Sequence, residues 1–372
     1  MQPRNLLGAG LAAALSFFIT VAPAAAVNAA SANDTARFLA GLPPAEDSAL
    51  APLAKDRNWQ QHANVFNHAF DRVEKGQLAR IRAWSATNLT SARPSVFYMF
   101  SGPDFLYANA FYPKATTYVL AGLEPVGAVP DLTALRGGLG GELGRLRGSL
   151  ATILSTSFFI TKQMRSDLRS GRVNGTLPIL YVFLVRSGYS IRDVTPVRVD
   201  SEGKLQTEPE TGRASAAAPG VKIEFAGSDG APRTLYYFST NLANEGVKSS
   251  GFLKFLESLA PGDSFVKSAS YLLHSGNFST VRNFLLEHSA AMVQDDSGIP
   301  LRYYDAKKWE FHPFGRYVAP LGIFPGTYQR DYAELFRKSQ RMDFGIGYRW
   351  RPNESNLLLA IKRGEAAARN SE

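Results

Sequence analysis

The clearest periodic stretch runs from Asp56 to Asn88. There Trp59, Val65, Phe66, Phe70, Val73, Leu78, Ile81 and Trp84 recur mostly every three to five positions and predict an amphipathic helix, interrupted at Gly76. Beyond it, Ser95–Ser101 is a short apolar run closed by the turn Gly102-Pro103-Asp104. Phe105–Phe111 follows as a short helix stopped by Pro113, and Thr116–Leu123 is a second β-rich run ending at Glu124-Pro125. Strand, glycine turn, helix and strand within about 30 residues is the size of a βαβ unit, whose two strands are parallel.

Downstream, the glycine-rich segment Gly137–Gly144 predicts a flexible loop leading into a helix over Leu146–Leu168. Leu177–Val185 is almost wholly apolar, the pattern of a strand buried on both faces. Val221–Phe225 and Thr234–Ser239 form a β-hairpin, and helices are expected at Gly251–Leu259, Phe265–His274 and Ser279–His288. Short β runs follow at Ala290–Val293, Leu301–Tyr304, Trp309–His312, Asp343–Trp350 and Leu357–Ile361, with a helix at Tyr328–Lys338. Helices alternating with strands give the class α/β: a Rossmann-like, mainly parallel sheet flanked by helices, with a β-hairpin and an N-terminal helical segment. The expected organisation is a leader at 1–26, a helical segment at 27–93, and an α/β domain at 94–372 with a mobile excursion at 200–220, where Glu, Thr, Ser, Ala, Pro and Gly dominate.

The leader is read from Arg4, the apolar stretch Leu6–Val21 and the small-residue run Ala22–Ala26, the order of a secretory signal peptide cleaved after Ala26. No later apolar window reaches the roughly 20 residues that span a bilayer, so no transmembrane span is expected after cleavage. The 372 residues contain no cysteine, which removes disulfides, thiolate metal sites and thiol nucleophiles. An exported chain of this kind suits a bacterial periplasm or exterior. The net charge is +9, and much of the excess lies between Arg136 and Arg192, where nine basic residues face only Glu142 and Asp167. That segment is either a solvated face or a patch for an anionic surface. No nucleic-acid reader motif is present.

Candidate chemistry gathers at the predicted strand ends. Glu124 lies 22 residues past Gly102, the spacing at which nucleotide-binding βαβ units place an acid on a ribose hydroxyl. The turn holds one glycine where the dinucleotide fingerprint has three, and Asp104 would repel a pyrophosphate there, so an adenosine-type ligand without phosphates fits better. Asp104, Glu124 and the pair Asp295/Asp296, followed by Ser297, each come just after a predicted strand. In a parallel sheet they would share one acidic edge able to bind sugar hydroxyls, a hard cation or a substrate proton. The bland alternative makes Asp104 a helix cap and Asp295–Gly298 an ordinary turn. His62 and His68, six apart, make no paired metal face, and neither an HExxH nor a Gly-x-Ser-x-Gly pattern occurs.

The segments Phe100-Ser-Gly-Pro-Asp104, Gly122-Leu-Glu-Pro-Val-Gly127, Gln294-Asp-Asp-Ser-Gly-Ile-Pro300 and Gly345-Ile-Gly-Tyr-Arg-Trp350 resemble those of an uncharacterised family of secreted bacterial proteins. The resemblance brings no activity, cofactor or catalytic residue. Two function classes remain: a small-ligand site, binding or catalytic, at the acidic edge of Asp104, Glu124, Asp295, Asp296 and Ser297, or a non-enzymatic envelope-associated protein using the basic 136–192 segment.

Overall fold

In the computed structural model, residues 31–133, 135, 137–160, 164, 166, 171–207 and 218–364 are described. The expected leader, Arg136, Lys162, Arg165, Asp167 and Arg169 of the basic segment, and 208–217 of the excursion lie outside them.

The backbone of the fold is a sheet of ten strands: β1 (Ser95–Tyr98), β2 (Thr117–Gly122), β3 (Ser190–Val199), β4 (Leu205–Thr207), β5 (Ala218–Ala226), β6 (Pro232–Ser239), β7 (Gly262–Val266), β8 (Ser289–Gln294), β9 (Trp309–Gly315) and β10 (Asn356–Lys362). Their order is β4-β3-β5-β6-β2-β1-β7-β8-β10-β9. The expected βαβ unit is present: β1 and β2 are parallel neighbours joined through α4 (Phe105–Phe111). The class is α/β, but a mainly parallel sheet is not what forms. β6, β2, β1, β7 and β8 run parallel, while the five other pairings, including the expected β5–β6 hairpin, are antiparallel. Counted in chain order, the parallel strands stand 3-2-1-4-5, and the order reverses between β1 and β7.

Alternation along the strands builds the two cores. Val96, Tyr98, Tyr118, Leu120 and Phe265 face one layer, and Phe97, Met99, Val119 and Val266 face the other. The first layer is made by α1 (Ala32–Leu39), α2 (Arg57–Val73), α3 (Ala79–Asn88), α4, α5 (Leu139–Ser155) and α6 (Leu177–Arg186). The second is made by α7 (Asn244–Ser249), α8 (Phe252–Glu257) and α9 (Ser279–His288); α10 (Arg330–Leu335) caps a small cluster around Tyr332. At Gly76 the N-terminal helix does not break. A π turn at Glu74–Leu78 carries it from α2 into α3, and Gln77 Oε1 on that turn accepts a hydrogen bond of 2.9 Å from the Gly345 amide.

Several expectations are corrected. Leu177–Val185 is helical, in α6, and all nine residues are buried. A run apolar on every side fits a fully buried helix as well as a central strand, and Pro178 in the first turn starts the helix. Phe265–His274 is not a helix: Phe265 and Val266 belong to strand β7, which hides behind two buried polar residues. Asp263 serves the sheet itself, accepting from the amides of Arg93 and Ala291 at 3.0 and 3.1 Å, while Ser264 bonds the Ser289 hydroxyl at 2.7 Å. The glycine segment joins α5 from Leu139 onward, Leu301–Tyr303 is a single 3-10 turn, and 343–350 forms no strand.

The hydroxyl of Tyr181 in α6 is buried and has no hydrogen-bond partner among the described residues. Tyr181→Phe should therefore keep or raise the melting temperature, by up to about 1–3 kcal/mol of unfolding free energy. Val182→Asp, which buries an unpaired charge at a cost of several kcal/mol against a total of about 5–15, should yield no soluble protein. Thermal unfolding of the two variants checks both.

Candidate functional site

Where the strand order of an open α/β sheet reverses, the loops after neighbouring strands diverge and leave a crevice at their carboxyl ends. In this chain that crevice is a cavity of about 530 Å³. Its walls come from the segments after β1 (Phe100 to Asp104), β2 (Leu123, Glu124), β6 (Thr240 to Leu242) and β7 (Lys267 to Ser270), closed by 158–160 and by Phe324 and Tyr348.

Asp104 is buried and does two things at once. Its Oδ1 accepts the Tyr107 amide at 3.2 Å, capping α4, and its Oδ2 accepts from the Tyr98 hydroxyl and from Lys267 Nζ, each at 2.9 Å. Lys267, itself 2 % exposed, also donates to the Ser157 carbonyl and lies 4.3 Å from the centre of the Tyr107 ring. Burial pushes the Asp104 carboxyl up from its ordinary range, and Lys267 opposes that shift. Nothing in the pattern of the chain marked Lys267, because it falls where a helix was expected. The signal that finds it is topological: it is the first residue after the strand beside β1.

Glu124 is buried at the end of β2, against the glycine turn. A Cβ on Gly122 would stand 2.3 Å from its Oε2, so the carboxylate needs a glycine at that position. Tyr237, on β6, donates to the Glu124 backbone carbonyl at 2.8 Å and fixes the turn.

Asp295, Asp296 and Ser297 stand at the same carboxyl edge, after β8, but do not line the cavity. They hold its β7 wall from behind. Asp295 Oδ2 accepts the Ser268 amide at 2.9 Å, Ser297 Oγ accepts the Ala269 amide at 2.8 Å, and Asp296 Oδ2 accepts the Tyr271 hydroxyl at 2.6 Å. The shared edge is therefore as expected, while the four carboxylates divide into two groups with separate partners. Among the described residues, no group of three or more acidic or histidine side chains is placed to hold a metal ion. His62 is structural: burial lowers its pKa to about 4, its Nε2 donates to the Leu39 carbonyl at 2.8 Å, and Nδ1 faces Arg147.

Backbone strain is concentrated at this crevice. Phe100, Ser268, Ser270 and Tyr271, the non-glycine residues with positive φ among those described, have φ between 51 and 60° and all follow β1 or β7. Such conformations cost on the order of 1–3 kcal/mol each and persist where the surroundings over-determine them. After β7 the hydroxyls of Tyr348, Ser297 and Tyr271 and the Asp295 carboxylate do so. The Ser268 hydroxyl oxygen, on the cavity wall, is shielded from solvent without a partner among the described residues.

The described members of the basic segment are partly spent internally. Arg145 pairs with Glu142 at 2.5 Å, Arg147 meets His62 at 3.2 Å, and Arg186 donates to the Ala40 carbonyl and to Asn67. No protein family, curated protein or solved structure matches the chain.

Two predictions follow from the charges. Lys267→Met strands a buried carboxylate and should cost about 3–5 kcal/mol in chemical denaturation. Asp104→Asn together with Lys267→Met should recover most of it, because no bare charge is then left. Burial, and secondly the neighbouring Asp296, raise Asp295 to about 7. The folded form thus holds more protons than the unfolded chain between about pH 4 and 7, and the stability from this pair falls as pH rises through that window. His62 and His274, both lowered to about 4, act in the opposite sense. The measurement is therefore the difference in melting temperature between Asp295→Asn and the wild type, which should move in favour of the variant from about pH 5 to pH 8.

Proposed function

We propose that the cavity between β1 and β7 binds a phosphate-free, adenosine-type small molecule, with Glu124 taking its ribose hydroxyls. The single observation that carries the reading is the position of Glu124, a buried acid at the end of the strand next to β1, against a glycine turn and on the wall of a ligand-sized cavity. The parallel order 3-2-1-4-5 supports it, because Rossmann-type nucleotide-binding sheets share that order, and the likeness is one of arrangement alone.

The acid at the glycine turn favours a ligand without phosphates. Among the described residues of the wall the ionisable acids and bases are Asp104, Lys267 and Glu124, and the first two pair with each other. A pyrophosphate on the turn would meet Asp104, and aromatic rings such as Phe100 and Phe278 offer flat faces to a base. We place the working form outside the cytoplasm, in a bacterial periplasm or exterior, after removal of the leader.

Thermal shift tests the proposal with adenosine and S-adenosylhomocysteine against AMP, ATP and NAD. The unphosphorylated compounds should raise the melting temperature saturably, and the phosphorylated ones should do so less. Glu124→Gln should leave the unliganded protein folded and weaken the response roughly tenfold or more, the loss of charged acceptors from a buried hydroxyl site. An unchanged response in Glu124→Gln, or no response to any nucleoside, would sink the reading.

A further inference from the structure

The cavity is divided in character along its depth. Its floor is polar and buried, formed by Ser101, Asp104, Glu124, Thr240 and Lys267. Its outer wall is apolar and half-buried: Phe158, Phe159, Leu272, Phe324 and Tyr348. Phe158 and Phe324 meet the Tyr348 ring at 5.1 and 5.0 Å, and Phe324 meets Tyr271 at 4.9 Å. The rim carries Leu123, Ile160 and Ile323, at 60, 47 and 75 % exposure, so three of the seven exposed large apolar residues among those described stand around one opening. Scattered exposed aliphatics need no explanation, whereas a group of them around the mouth of a cavity marks an interaction site.

Ile323 is presented by a strap, 316–329, that contains no helix or strand and joins β9 to α10. Both ends of the strap are fastened. Arg349 Nε donates to the Ala319 carbonyl at 2.5 Å, and Gln329 Nε2 donates to the Asp296 carbonyl at 3.1 Å. Its tip, Ile323-Phe324-Pro325, lies between Gly322 and Gly326, where an added Cβ would meet nothing within 4 Å. Loops of this length without helix or strand are uncommon in compact domains and are usually either functional or linkers. This tip turns Phe324 onto the cavity wall and leaves Ile323 in water.

We infer that the outer half of the cavity is a second ligand subsite, one that takes an apolar small molecule, an aromatic or a short acyl chain, end-on above the nucleoside-type ligand of the floor. The opening favours a single small occupant over a flat surface: the exposed rim continues inward as a concave aromatic wall. The cavity is also larger than a nucleoside requires. The subsite stands on the rim and wall residues. It rests on the proposed reading of the floor only for the statement that two ligands are held together.

The test uses the full mature chain and the neutral fluorophore N-phenyl-1-naphthylamine. Saturable binding, one probe per chain, is expected, and Ile323→Asp and Ile160→Asp should weaken it tenfold or more. Val65→Asp is the control, because Val65 is as exposed as Ile160, at 47 %, and lies away from the cavity on α2; it should bind the probe as the wild type does. Adenosine should neither displace the probe nor lose its own thermal shift in Ile323→Asp. Failure of that shift in every variant strikes the nucleoside reading alone. Absence of saturable probe binding, equal loss in Val65→Asp, or competition between adenosine and probe overturns the second subsite. Loss of sedimentation with phosphatidylcholine vesicles in the isoleucine variants, with probe binding unchanged, would overturn it too, making the rim a membrane contact.

Discussion

The buried pair Asp104–Lys267 is the constraint on which the rest of the crevice depends. It ties the loop after β1 to the loop after β7 at the one place where neighbouring parallel strands send their connections apart. A charge pair withdrawn from water contributes little to stability beyond what an apolar pair would, since desolvation consumes most of the attraction. Its contribution here is positional. With the Tyr98 hydroxyl, the Tyr107 amide and the Ser157 carbonyl taken up by the same two side chains, each loop has one geometry that satisfies all of these groups. The space between the loops that follow β1 and β7 thereby becomes a shaped cavity.

The local elements around β1 were legible because their signals are local. Apolar runs, the Gly102-Pro103 turn, Asp104 as cap and Pro113 as stop define strand, helix and strand without tertiary help. Leu177–Val185 was misjudged because an all-apolar run carries no period, and what distinguishes helix from strand there is what surrounds it. Strand β7 escaped notice for the opposite reason. Asp263 and Ser264 look like surface residues until their partners, the Arg93 and Ala291 amides and the Ser289 hydroxyl, are brought up from distant parts of the chain. With β7 hidden, Lys267 was hidden too, so half of the site was invisible while Asp104 and Glu124 stood out.

The two readings of the acids also turn out to be compatible. Asp104 is a helix cap and a cavity residue, since one oxygen serves each role. Asp295 shapes its own turn through the Ser297 amide at 3.0 Å and holds the strained Ser268 backbone with its other oxygen. Turn residues at a strand end are suited to such double use, because a carboxylate that organises its own loop still has lone pairs directed at the next one. The Asp295–Ser297 turn thereby supports a wall it does not line, which is why the carboxylates share an edge and yet serve different parts of it.

The π turn at Glu74–Leu78 has a consequence for evolution and engineering of the chain. It holds one residue more than an α-helical turn would, and everything C-terminal to it is rotated by about 100° relative to an uninterrupted helix. In that phase Trp84 meets Phe111, Phe314 and Phe344 edge-on, and Gln77 reaches the backbone of Gly345, two residues before the glycine that lies against Asp295. Removing one residue from the turn would regularise the helix and improve its hydrogen bonding, yet it would swing Trp84 out of the aromatic cluster. A more regular helix would thus be the defective one, and homologous chains sharing this core must keep the length of the turn even where its residues vary.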